Sequence, residues 1–102
     1  MTEFSVQGTL STLGTTLVTG TSGTAGFLSK LSTMRFNNPL NYTLQVYKYE
    51  ASTATTILLY DLSLSGGDTV TDNLQYVLNE GDEIKAYSNI AGTTYYANGI
   101  LY

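Results

Sequence analysis

The chain has no cysteine, no histidine and no tryptophan, and a single proline, Pro39. Without cysteine there are no disulfides and no thiol chemistry, and without cysteine or histidine there is no zinc site of the usual kind. The same gaps leave a serine nucleophile only Lys30 or Lys85 as a base, and neither lies in a strained elbow motif. Cations are scarce too: Lys30, Arg35, Lys48 and Lys85 stand against eight acidic residues, for a net charge of -4. A clustered basic face is what phosphate backbones require, so nucleic acid is not the expected partner. No apolar run approaches the roughly 20 residues of a membrane-spanning helix. Met1, Thr2 and Glu3 make an acidic start rather than a basic leader, so the chain is expected to act where it is made or to leave by lysis or assembly.

Charged residues make up 12% of the chain, about half of the ~25% usual in soluble domains. Thr, Ser, Asn, Gly and Tyr take their place. Sparse charge lowers the desolvation cost of contacts, and tyrosine is a favoured contact residue, so part of this surface is expected to be covered by neighbours. The length of 102 residues implies one domain. A chain of this size buries roughly two-thirds of its unfolded surface, enough for one core.

Short alternating runs follow one another along the chain. Residues 3–10 alternate Phe4, Val6 and Gly8 with polar neighbours. Gly14 marks a turn, residues 15–19 form a short strand, and 20–26 (G-T-S-G-T-A-G) is a low-complexity stretch, so 14–26 is expected to be a flexible Gly/Thr-rich segment. Residues 27–36 form a strand placing Met34 and Phe36 on one face and Leu31 and Arg35 on the other. Asn37, Asn38 and Pro39 end it. Residues 42–50 put Leu44 and Val46 inward and Tyr47 and Tyr49 outward. Residues 55–64 are the most apolar strand, expected to be buried on both sides near its start. Gly66 and Gly67 turn the chain into short strands around Val70 and at 74–78. Gly81, in N-E-G-D, is placed to take the positive φ of a tight turn, and Ile84, Ala86 and Ser88 then alternate with Lys85, Tyr87 and Asn89. A closing strand runs to Tyr102. No segment has a 3.6-residue period.

About eight short strands with turn signals every ~8–12 residues predict an all-β protein: a two-sheet antiparallel β-sandwich, jelly-roll or immunoglobulin-like. The expected core is Met34, Phe36, Leu44, Val46, Leu58, Leu62, Val77, Ile84, Ala86 and Ile100. Asp61, Asp68, Asp72, Glu80, Asp82 and Glu83 supply carboxylates for hydrolysis or calcium binding, but they fall mainly in turns at the rim, where they are expected to be solvated. No D-x-D-x-D-G loop is present. No catalytic residue, metal site or cofactor is therefore assigned. The candidate subunit interface is the set Tyr47, Tyr49, Tyr87, Tyr95, Tyr96 and Tyr102, with cross-strand packing and a sugar platform as the other uses of such tyrosines.

Residues 31–36, the run Y-T-L-Q-V-Y at 42–47, Leu59, Tyr60, Leu62, the G-D-T at 67–69, L-N-E-G-D-E-I-K-A at 78–86 and the closing Gly99 and Ile100 together resemble small tailed-bacteriophage virion proteins. These are β-sandwiches of about this length found as head-decoration, neck or tail components. The resemblance spans residues 28–102. It implies a non-enzymatic structural subunit of the virion, made in the host cytoplasm, acting by self-association and docking to capsid or neck subunits. It transfers no catalytic residues. The expected assembly is a cyclic homo-oligomer, a trimer or larger ring. A carbohydrate- or receptor-binding module of a tail tip or fibre is the alternative.

Overall fold

A computed structural model describes residues 2–20 and 29–101. The calls on residues 21–28 and on Tyr102 lie outside the described residues. Among the described residues there are nine strands: β1 (Thr2–Thr9), β2 (Thr15–Thr19), β3 (Ser29–Asn37), β4 (Tyr42–Glu50), β5 (Thr55–Leu64), β6 (Thr69–Asp72), β7 (Tyr76–Leu78), β8 (Glu83–Ser88) and β9 (Thr94–Leu101). They form two antiparallel sheets, ordered β1-β9-β3-β6 with β7 also on β3, and β2-β8-β4-β5. The chain is therefore the expected two-sheet β-sandwich. The ladders run β4 with β5, β3 with β6 and β7, β2 with β8 and β1 with β9, so the molecule is one long hairpin, closed at residues 51–54 and rolled up until successive pairs alternate between sheets. That is jelly-roll connectivity. The segment at 14–26 opens with ordered structure, since β2 is laddered to β8.

The core follows the inward faces: Leu31, Met34, Phe36, Leu44, Val46, Leu78, Ile84, Ala86 and Ala97 have no solvent exposure. Leu10 and Leu17 close the side next to β1 and β2. Four expected core positions, Leu58, Leu62, Val77 and Ile100, lie elsewhere, and Leu31, expected on the other face, lies inside; bulges explain Leu31 and Leu58. In β3 the register with β9 skips Ser32, passing from Leu31 opposite Gly99 to Thr33 opposite Asn98. The extra residue flips the alternation, so Leu31 joins Met34 and Phe36 inside instead of facing away from them. In β5 the register with β4 skips Leu59: Tyr60 lies opposite Val46, but Leu58 lies opposite Tyr47. Leu58 is thereby turned out of the core to 49% exposure. The start of β5 is not buried on both sides, because β5 is a sheet edge and Thr55, Thr56, Ile57 and Leu58 are all exposed.

Val77 is also outside the core. Tyr76 pairs with inward Leu31, so Val77, next in the alternation, faces out at 51% exposure and Leu78 faces in. Leu62 and Ile100 are half-buried rather than core residues. Ile100 shares the outward face of β9 with Tyr96 and Asn98, while Ala97 and Gly99 take the inside. Gly99 is required there: a Cβ would strike the Lys30 carbonyl and the edge of the Phe4 ring, which lies over it. β6 and β7, expected as separate short strands, are divided at residues 73–75, where Gln75 has φ of 63. The Asp72 carboxylate holds the break by accepting a hydrogen bond from the Leu74 N–H at 2.8 Å.

Both ends of the sandwich are pinned by buried polar groups. At one end the Asn38 side chain donates to Thr93 Oγ1 at 2.9 Å and to the Ala91 carbonyl at 3.2 Å, and its Oδ1 accepts from the Leu40 N–H at 2.9 Å. Ser88 Oγ lies 2.6 Å from Thr93 Oγ1, and the Leu10 N–H donates to the Thr93 carbonyl at 2.8 Å. At the other end Asp82 is 3% exposed, and its carboxylate accepts from the Ala51 N–H at 2.9 Å and the Asn79 N–H at 3.0 Å. Its carbonyl accepts from the Gly20 N–H at 2.7 Å. Gly81 takes φ of 84, as the turn requires.

Candidate functional site

The outward face of the β2-β8-β4-β5 sheet gathers the densest set of expected site residues. β4 and β8 are neighbours, with Gln45 opposite Tyr87, Tyr47 opposite Lys85 and Tyr49 opposite Glu83. Residues opposite one another in an antiparallel pair share a face, so three tyrosines from two separate parts of the chain meet there. The Tyr47 and Tyr87 rings pack edge to face, with centroids 5.5 Å apart and planes at 89°, a favoured geometry for aromatic pairs. Lys85 Nζ lies 5.7 Å from the centre of the Tyr49 ring, within cation–π range, and 3.9 Å from Glu83.

Polar groups border these rings. The Tyr47 hydroxyl donates to Gln45 Oε1 at 3.3 Å, and Gln45 Nε2 donates to Asp61 at 3.2 Å. Gln45, Tyr47, Thr56, Lys85 and Tyr87 line a shallow depression of about 200 Å³. The chemistry available is that of a contact surface: half-buried aromatic planes, an amide and an ammonium, with their edges free for a partner. Residue patterns had singled out the tyrosines for this role but not Gln45, and had named Asp61 and Lys85 only as a candidate carboxylate and a candidate base. The alternation of I-K-A-Y put Lys85 and Tyr87 on one side and was the signal available for the lysine.

The other expected interface residues do not join this face. Tyr95 lies on the inward side of β9 and packs against the core, with its ring against Gly8. Tyr96 faces out from the opposite sheet, 38% exposed, beside Asn98. The tyrosines thus divide between two sheet faces and the core edge, because β9 belongs to the sheet that β4 and β8 do not.

Asp61, Asp68 and Glu80 are exposed as expected, but two of the carboxylates are not. Asp82 and Asp72 are buried, at 3% and 7% exposure, and serve the backbone and tyrosines rather than solvent. Asp72 accepts from the Tyr76 hydroxyl at 2.8 Å. Burial, this hydrogen bond and the nearby carboxylate charge push the Tyr76 hydroxyl well above the ordinary tyrosine range. Burial, and then the Asp72 charge, do the same to Tyr60, whose buried hydroxyl has no hydrogen-bond partner among the described residues. Tyr42 is raised by burial and by Asp68, and its hydroxyl donates to the Asp68 carbonyl at 2.8 Å. Among the described residues no three potential metal ligands gather, and no helix is long and apolar enough to cross a membrane. No family model matches the chain, and no curated protein matches it.

Proposed function

We propose that this chain is a non-enzymatic structural subunit of a tailed-bacteriophage virion, at a capsid-decoration or neck position, working as a homo-oligomer that docks to capsid or neck subunits. A fold alone does not assign function, so the reading rests on a surface. The observation that carries it is the outward face of the β2-β8-β4-β5 sheet, where Tyr47, Tyr49 and Tyr87 stand half-buried among Gln45, Thr56 and Lys85. Tyrosine-rich faces of this kind suit protein contacts. The resemblance over residues 28–102 and the jelly roll, an architecture used by viral capsid domains, support the same reading.

A second reading is favoured by the same depression. An edge-to-face tyrosine pair beside an amide and an ammonium also fits a sugar ring, which stacks its apolar face and hydrogen-bonds its hydroxyls. On that reading the chain is a carbohydrate- or receptor-binding module of a tail tip or fibre.

Proteomic analysis of purified particles of the phage that encodes the chain tests the first reading. The expected result is a fixed, repeated copy number per particle and a neighbouring gene for a major capsid or portal protein; absence from the particle overturns it. Micromolar glycan binding by the isolated chain, lost in Tyr47→Ala and Tyr87→Ala, is the outcome that favours the second.

A further inference from the structure

The flank formed by β5 of one sheet and β6 and β7 of the other is built for contact. Among the described residues β5 is the longest strand, 10 residues, and it lies at a sheet edge, so one side of its backbone has no ladder partner among them. Exposed edges are normally blunted by lysine or proline. β5 has neither, and Asp61, its single charge, is already engaged by Gln45. Most of the exposed large apolar side chains border this same flank: Ile57 at 40%, Leu58 at 49%, Val77 at 51% and Leu74 at 76%. Between the two sheet edges runs a cleft of about 260 Å³ walled by Tyr60, Leu62, Val70, Asp72 and Leu74.

We infer that this flank pairs with a second copy of the chain, β5 against β5 across a two-fold axis. The inference rests on the reading of the chain as a self-associating subunit, and it names the surface. A strand edge meets its own copy antiparallel only about a two-fold, so the contact is a two-fold rather than the ring or trimer the sequence favoured. Self-complementarity sets the register. With Leu58 on the axis, Leu58 meets Leu58 on the outward face, and, once the extra residue at Leu59 is counted, outward-facing Asp61 falls opposite outward-facing Thr56 of the partner copy. A register centred on Asp61 sets two carboxylates against each other, which is unfavourable. The size is sufficient: ten residues at about 3.3 Å each, across two sheet edges about 20 Å deep, cover roughly 1,300 Å² over both copies, within the range of specific interfaces. A heterologous partner has little charge to recognise on this flank, whereas a second copy supplies a matching strand and matching leucines.

Sedimentation analysis of the purified full-length chain, with Leu58→Lys and Leu58→Cys, tests the inference. The expected wild-type species is two copies, and Leu58→Lys weakens it at least ten-fold with an unchanged β-type circular dichroism spectrum, since Leu58 is outside the core. Because the chain has no cysteine of its own, Leu58→Cys is expected to cross-link to a covalent dimer on mild oxidation, and Gln7→Cys on the opposite flank is not. A single copy at 100-fold the working concentration, with no cross-link through position 58, overturns the pairing. Assembly that survives Leu58→Lys but is lost in Tyr87→Ala also overturns it and leaves self-association through the tyrosine face standing. Incorporation of a monomeric chain into particles overturns it while sparing the virion role.

Discussion

The β1/β2 flank and the β5/β6–β7 flank are the same kind of place, two sheet edges facing each other, finished in different ways. Along the first, Leu10 and Leu17 are pulled inside to 3% and 4% exposure and seal the gap; the strand side chains left outside include Glu3, Ser5, Gln7, Thr9, Thr16 and Thr19, and Leu13 is exposed in the connecting turn. Along the second, the leucines stand outside and the gap holds a cleft with an unpartnered tyrosine hydroxyl. Both flanks have leucines in sequence. What differs is where the extra residue falls: in β2 it is Leu17 itself, held inside beside Val18, while in β5 it is Leu59, and Leu58 before it is turned out. One flank is finished by the chain itself, and the other is left for something else to finish.

Truncating the sealed flank should give the largest effect. Leu17→Ala is expected to cost about 2–4 kcal/mol, the usual range for a buried leucine, read as a lowered denaturant midpoint. A cost below about 1 kcal/mol means that flank is not sealed. Gly81→Val should cost about 1–2 kcal/mol from the positive φ, with an added clash because a Cβ at Gly81 approaches that of Ala51 to 2.9 Å. This turn holds the end of β2 to the β4–β5 connection, so coincident midpoints for wild type and variant mean the flanks are not coupled through it.

On the open flank the expected effects are smaller and partly reversed in sign. Tyr60→Phe removes a buried hydroxyl without a partner, so it should be neutral or stabilising by up to about 1 kcal/mol; a loss greater than that shows the hydroxyl is bonded in solution. The same tyrosines set the alkaline limit. Tyr42, Tyr60 and Tyr76 hold their protons in the folded chain to higher pH than in the unfolded chain. Stability is therefore fully present below the ordinary tyrosine value of about 10 and falls as pH rises beyond it, because only the unfolded chain ionises there. Denaturant midpoints measured from pH 8 to 12 should be level and then decline, with a shallower decline in Tyr60→Phe. Leu58→Ala, below any dimerisation, should change stability least, by less than about 1 kcal/mol; a cost like that of Leu17 erases the contrast.

Where a strand keeps strict alternation, its span and facing were legible in the residues. Residues 42–50 are a strand with those bounds and that facing, and Ile84, Ala86 and Ser88 are all buried as their spacing implies; for 55–64 the bounds were legible but not the facing. The errors sit at bulges and at short strands. Nothing in L-S-T-M-R-F marks Ser32 as the extra residue, because a bulge is defined by the partner strand, here β9, more than 60 residues on. Q-Y-V-L is too short to fix its own parity, so Val77 and Leu78 exchanged places. Of the candidate site, tyrosine-rich strands were visible, but which tyrosines share a face depends on β8 lying beside β4, a pairing that skips three strands. Buried Asp82 and Asn38 escaped notice for a related reason: their partners, Ala51, Thr93 and Ala91, are distant in sequence.

The rolled hairpin also imposes an order on assembly in time. β4 and β5 are separated by four residues and can form a ladder as soon as both exist. Each outer rung then closes a longer loop, and the last, Thr2 opposite Leu101, spans nearly the whole chain. Loop-closure entropy rises with each rung, and folds dominated by such distant pairings fold in milliseconds to seconds. During synthesis β1 emerges first and waits longest, since β9, its only ladder partner among the described residues, is made last. Until then its Phe4 and Val6 have no sheet to cover, and what keeps this early strand soluble is its interleaving of Ser5, Gln7 and Thr9.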